Sequence, residues 1–154
     1  MDEKKSILIV DDDESIRRSL TLVFAKKGYD TETARTGREA IEKTQRRFFN
    51  LALLDIRLPD MQGTELLTEM HRDKPRMMKI MVTGYPSLEN AVEAVNKGAD
   101  AYVMKPAEPE RLLRLVEERL EEQQEAEKMS EEKVAEWIRS RARKLEQKKP
   151  RPSP

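Results

Sequence analysis

Short apolar runs alternate along this chain with segments whose apolar residues recur at helical spacing, and no other feature restricts its fold so strongly. Ile7–Val10, Leu51–Leu54, Ile80–Val82 and Ala101–Met104 are continuous apolar stretches. Strands read this way when helices cover both faces of a parallel sheet, because neither face meets water. Asp30–Ala34 is β-branched but polar, which is the composition of an edge strand. Between these runs Ile16, Leu20, Val23 and Phe24 predict a first helix that stops at Gly28. Thr36 with Glu39 forms a capping box for a second through Ile41 and Thr44, and Leu66, Leu67 and Met70 mark a third after Gly63. Ser87 caps a fourth carrying Leu88, Ala91, Val92 and Val95, ended by Gly98, and Pro109 suits the first turn of a fifth through Leu112, Leu113, Val116 and Leu120. The predicted class is α/β: a (βα)₅ doubly wound parallel five-stranded sheet with a C-terminal helical extension.

Open α/β sheets bind ligands outside the carboxyl ends of their strands, and the reactive side chains of this chain fall there. Asp11 and Asp12 follow the first strand, Asp55 the third, Thr83 the fourth and Lys105 the fifth. Three carboxylates at one sheet edge repel one another unless a hard cation neutralises them. Mg²⁺ suits that role: it takes octahedral oxygen ligands, here the carboxylates of Asp11, Asp12 and Asp55, a backbone carbonyl such as that of Arg57, and a phosphoryl oxygen. Lys105 adds a compact positive charge and Thr83 a hydroxyl donor, both suited to the equatorial oxygens of a phosphoryl group in transfer. Asp55 stands alone after a central strand and is followed by the turn-rich Leu58–Gly63, so it is the candidate nucleophile and its product an aspartyl phosphate.

Ile-Leu-Ile-Val-Asp11-Asp12, Leu-Leu-Asp55-Ile-Arg-Leu-Pro-Asp-Met-Gln-Gly63, Val-Thr83-Gly84 and Tyr102-Val-Met-Lys105-Pro106 together resemble the receiver domains of two-component response regulators, over residues 5 to about 120. The resemblance, closest to a stand-alone receiver of the chemotaxis-regulator type, implies a flavodoxin-like sheet of strand order 2-1-3-4-5. It implies Asp55 as acceptor of a phosphoryl group from a histidine kinase. Asp12 and Asp55 would bind Mg²⁺ directly and Asp11 would assist through water. It also implies a Thr83/Tyr102 switch, a cis Lys105–Pro106 bond, and output to a protein partner or by self-association, with a relay intermediate as the alternative output. Departures from the family pattern are Gln62 at an often acidic place, the large Arg57 and Tyr85 beside the pocket, and Ala107 for a common aromatic.

Two rival classes are disfavoured. A phosphatase of the haloacid dehalogenase type needs a second aspartate two positions after its nucleophile, where this chain has Arg57. A receiver-like module that is never phosphorylated would lack an acidic-pocket residue, Thr83 or Lys105, and all are present. The chain is therefore expected not to be an enzyme beyond Mg²⁺-dependent self-phosphorylation and slow self-dephosphorylation. Asp13 is expected to cap the first helix, and His71, the single histidine, to lie on the surface of the third.

Composition bounds the remaining partners. The 30 basic and 30 acidic residues cancel, so no global field attracts nucleic acid or an anionic membrane. There is no cysteine, and no apolar run approaches a membrane span, so a cytoplasmic location is the expectation. Charged residues make up 39% of the 154, against about 25% in an average globular chain. Much of that excess lies past residue 116. The expected division is a receiver over residues 1–122 and a charged tail over 123–154. Glu121–Glu136 holds seven acidic and two basic residues, net −5, and Trp137–Pro154 seven basic and one acidic, net +6. Residues 121–128 are expected to extend the fifth helix or to act as a linker. Ser130 is expected to cap a new amphipathic helix over about 130–148, with Val134, Ile138, Ala142 and Leu145 as its stripe and Trp137 beside it. That stripe implies a partner: the receiver itself, a second copy or another protein. A homodimer through the fourth helix, fifth strand and fifth helix is the other expected self-association. Nucleic acid is not expected, because one tryptophan and the short basic run Arg139, Arg141, Arg143 and Lys144 make a weak footprint. Arg151–Pro154 is expected to be disordered.

Overall fold

The structure, a computed structural model, describes residues 4–147. Five strands, β1 (Ser6–Val10), β2 (Asp30–Ala34), β3 (Leu51–Leu54), β4 (Met78–Thr83) and β5 (Ala101–Met104), pair in parallel in the order β2-β1-β3-β4-β5. Five helices, α1 (Glu14–Lys26), α2 (Gly37–Arg46), α3 (Gly63–Asp73), α4 (Leu88–Asn96) and α5 (Pro109–Gln147), alternate with them. This is the (βα)₅ doubly wound, flavodoxin-like sheet.

The core divides along the pleat. Because successive side chains of a strand point to opposite faces, Leu8, Val10, Ala52, Leu54 and Met81 pack with Ala40 of α2, Leu66, Leu67 and Met70 of α3 and Ala94 of α4. Ile7, Ile9, Leu51, Leu53, Ile80 and Val82 pack with Phe24 of α1 and Leu112, Leu113, Val116 and Leu120 of α5. Every residue of β1 and β3 is buried, as continuous apolar runs require. β2 is the polar edge. The other edge, β5, departs from the expectation of a covered strand: its residues are half-buried and Met104 is 62% exposed, because only β4 pairs with it.

Local chemistry fixes the helix ends. Asp13 caps α1 by accepting from the amides of Ser15 and Ile16, Thr36 caps α2 at Glu39, and Ser87 caps α4 at Asn90. Gly28 and Gly98 follow α1 and α4 with φ of 90° and 104°, the left-handed region that lets a helix stop. His71 is exposed on α3, as expected.

The fifth helix differs most from its expectation. Instead of a second helix capped by Ser130, a single helix runs from Pro109 to Gln147, with Ser130 in its interior. No glycine or proline occurs from Glu110 to Gln147, and Glu, Gln, Lys, Arg, Ala and Leu dominate, so no backbone cost ends the helix between them. The expected end of the Ser130-capped helix near residue 148 and the expected disorder of Arg151–Pro154 lie outside the described residues. The chain divides into two compact units, residues up to Leu120 and residues from Glu121 onward. No described helix is long and apolar enough to cross a membrane.

Candidate functional site

The parallel register brings the ends of four strands to one edge of the sheet. Val10 at the end of β1 is opposite Leu54 at the end of β3, so Asp11 and Asp55 leave the sheet at the same level, and Lys105 follows Met104, which is opposite Thr83 at the end of β4. One carboxylate oxygen from each of Asp11, Asp12 and Asp55 lies within 4.8 Å of the others. Asp11 and Asp55 are buried, whereas Asp12 is exposed.

Lys105 ties the buried pair together. Its Nζ donates to Asp11 Oδ2 at 2.6 Å and to Asp55 Oδ2 at 3.0 Å. Burial works against the charge of Lys105, but the two carboxylates prevail and raise its pKa. Burial raises the pKa of Asp11, and the Lys105 hydrogen bond only partly offsets this. Asp11 Oδ1 also accepts from the amide of Asp13 at 2.9 Å, and its carbonyl oxygen accepts from Arg17 Nη1 at 2.7 Å. Asp55 Oδ1 has no hydrogen-bond partner among the described residues although it is buried.

The surroundings of Asp55 depend on a close backbone approach. The amide of Gly63 donates to the carbonyl of Ile56, and a Cβ on Gly63 would stand 2.0 Å from the carbonyl oxygen of Asp55, so only glycine fits. Arg57 pairs with Gln62 across the loop between. Asp60 at its tip accepts from the amides of Gly37 and Arg38, both at 2.9 Å, which anchors the loop on the N-terminus of α2. Sequence reasoning missed the roles of Asp60, Gly63 and Arg17. The Pro-Asp-Met-Gln-Gly string marked a turn, but its contacts lie across the fold.

Thr83 is fully buried and its Oγ1 accepts from the amide of Tyr85 at 3.0 Å, which leaves its own proton free to donate elsewhere. Tyr102 packs against the core on the α2–α3–α4 side, and its buried hydroxyl has no partner among the described residues. The Lys105–Pro106 peptide bond is cis. Among the described residues, Asp11, Asp12 and Asp55 are the acidic cluster that could hold a metal ion. Their all-oxygen donor set fits a hard divalent cation.

Known proteins resemble this chain in sequence and fold. The family described as the response regulator receiver domain matches residues 7–117. A solved response regulator receiver domain protein (CheY-like) from Methanospirillum hungatei JF-1 superposes with a TM-score of 0.79 at 52% identity, covering 80% of this chain and 99% of that one. The regulatory protein AtoC of Escherichia coli K12 is 39% identical over 115 residues, 75% of this chain and 25% of AtoC. The alginate biosynthesis transcriptional regulatory protein AlgB of Pseudomonas putida KT2440 is 33% identical over 80% of this chain and 28% of its own length. The chain thus matches only about a quarter of the curated relatives. AlgB is a transcriptional regulator by name, so the relatives lend no support to the expectation that nucleic acid plays no part in output. With that family matched over residues 7–117 and the sheet in the order β2-β1-β3-β4-β5, the chain belongs to the response regulator receiver domain family of two-component systems.

Proposed function

We propose that Asp55 accepts a phosphoryl group from the phosphohistidine of a histidine kinase, and that Thr83 and Tyr102 convey its arrival to a protein partner. The observation that carries this reading is the asymmetry of one carboxylate: Lys105 holds Asp55 Oδ2, and Oδ1 is buried with no partner among the described residues. Oδ1 forms the new bond to phosphorus, the phosphorus–nitrogen bond of the donor breaks, and its electron pair returns to the imidazole. Mg²⁺ held by Asp11, Asp12, Asp55 and the carbonyl of Arg57 would neutralise charge on the phosphoryl oxygens.

The remaining parts are this chain's own. Lys105 Nζ sits between Asp11 and Asp55, beside the carboxylate to which the phosphoryl group would be added. Thr83 Oγ1 accepts from the amide of Tyr85 and has its own proton to donate to the phosphoryl group. The unpaired Tyr102 hydroxyl costs free energy where it lies, so a small bias suffices to turn the ring. The exposed Leu88, Val92, Val95 and Met104 on α4 and β5 form the face that reads this change, whether by a partner protein or a second receiver. Water attack on the acyl phosphate returns Asp55 slowly, so there is no turnover on an external substrate.

The test is phosphorylation by acetyl phosphate with Mg²⁺, followed by intact mass. One phosphoryl group per chain is expected, absent in Asp55→Asn and absent with chelator. Equal labelling of Asp55→Asn would overturn the assignment of the acceptor.

A further inference from the structure

The described part of the second unit is one helical segment, residues 121–147 of α5, with a row of side chains that the receiver chemistry does not use. Glu131, Val134, Ile138, Arg141 and Leu145 follow one another at spacings of three, four, three and four, which places them along one seam of a helix. All five are exposed, Val134, Ile138 and Leu145 by more than half, and Trp137 beside them is 60% exposed. An apolar centre flanked by an acid on one side and a base on the other is incomplete in a single helix.

We propose that this segment pairs antiparallel with the same segment of a second copy of the chain. The charges on the seam choose both the occupant and its direction. In a parallel pair Glu131 would face Glu131, and Arg141 would face Arg141, at positions that a helical pair shields from water. In the antiparallel pair the two-fold axis passes near Glu136. Val134 of one copy then meets Ile138 of the other, and Glu131 meets Arg141 at both ends of the apolar centre. Trp137 lies next to the axis and meets Trp137 of the second copy, while Leu145 lies over the methylenes of Glu127. The wider charge pattern agrees: residues 121–136 carry seven acidic and two basic side chains, and residues 137–147 four basic and one acidic, so antiparallel segments oppose unlike ends. Arg141 already stands 5.1 Å from the centre of the Trp137 ring, which keeps its guanidinium along this seam.

The proposal does not depend on phosphorylation, so the test uses the full chain with no phosphodonor. Light scattering is read at about 0.1 mM chain, where a dimer with Kd of about 10 μM is mostly paired. A mass of twice 18.0 kDa is expected for the native chain. Glu131→Arg alone and Arg141→Glu alone should each give the monomer mass, and the two together should restore the dimer, because the pair is re-formed with its charges exchanged. Circular dichroism of each variant shows whether the helix itself persists. A monomeric native chain would overturn the proposal, as would a dimer that both single variants leave intact. Should the monomer instead retain labelled duplex DNA or anionic vesicles through the same residues, the second-copy assignment would also fall.

Discussion

The guanidinium carbon of Arg57 lies 3.9 Å from the centre of the Tyr85 ring, so a cation–π contact joins the loop after Asp55 to the loop after Thr83. Both residues were flagged in the sequence as large neighbours of the pocket. Such a contact is worth about 0.5–1 kcal/mol at an exposed site, or about a 2- to 5-fold change in rate if it limits water access. Arg57→Ala and Tyr85→Ala should each speed loss of the phosphoryl group by about that factor, and the double variant should be no faster than the faster single. A dephosphorylation time course decides it; unchanged rates in both singles would remove the shielding role.

Lys105 offsets two buried carboxylates, so Lys105→Met should destabilise the metal-free chain by about 3 kcal/mol while increasing the gain in Tm on adding Mg²⁺. The pH dependence follows from Asp11. Its carboxyl lies above the ordinary 3.8, so the fold binds more protons than the unfolded chain there and loses stability as pH rises through that window. The Mg²⁺-induced rise in Tm should therefore fade as pH falls back through it. Thermal melts with and without Mg²⁺ at several pH values measure this, and a Mg²⁺ effect unchanged in Asp12→Asn or Asp55→Asn would speak against the acidic cluster as the metal site.

Asp60 ties the loop after Asp55 to the first turn of α2. Desolvation opposes its ionisation, but the amides of Arg38 and Gly37 prevail and hold its carboxyl below the ordinary 3.8. Asp60→Ala should cost about 0.5–1 kcal/mol at neutral pH, the lower part of the capping range because the side chain is exposed. A lowered pKa contributes stability above 3.8 that is lost as pH falls through the folded value, so the difference between variant and parent should close at acid pH. Urea titrations at neutral and acid pH test this; an equal difference at both would deny the ionised cap.

Lys79 is only 1% exposed, and its Nζ donates to the carbonyl of Lys74 at 3.2 Å. Burial lowers its pKa, and Asp100 only partly opposes this. The unfolded chain then holds the proton more tightly, so stability rises as pH climbs toward the ordinary 10.5. Lys79→Met should stabilise the chain at neutral pH by about 1 kcal/mol or more, since it removes a buried charge at similar volume. That advantage should shrink toward pH 10.5. A variant less stable than the parent at neutral pH would show that the Lys74 contact outweighs desolvation.

The sheet was legible because Ile7–Val10 of β1 and the whole of β3 are continuous apolar runs, as strands covered on both faces are. The site was legible because each reactive residue stands directly at a strand end. Strand order came from the family likeness, since an apolar run does not say which strand is its neighbour. That is also why β5 read as covered when it is an edge. Ser130 misled for another reason: a cap acts only where the backbone has already left the helix, and nothing before Ser130 makes it leave. Asp60 was illegible because the amides it binds are 22 and 23 positions away, and Lys79 because a charged residue in a strand reads as exposed whereas this one is buried.

Lys105 and Asp11 are 94 positions apart in the chain, at opposite ends of the order in which the strands are synthesised. A chain emerging from the ribosome therefore presents its acidic residues long before the cation that balances them, and β5 must dock before the two carboxylates share it. An unfinished or misdocked chain keeps mutually repelling acids at the edge of its sheet, so the last strand closes a charge balance that the first one opened.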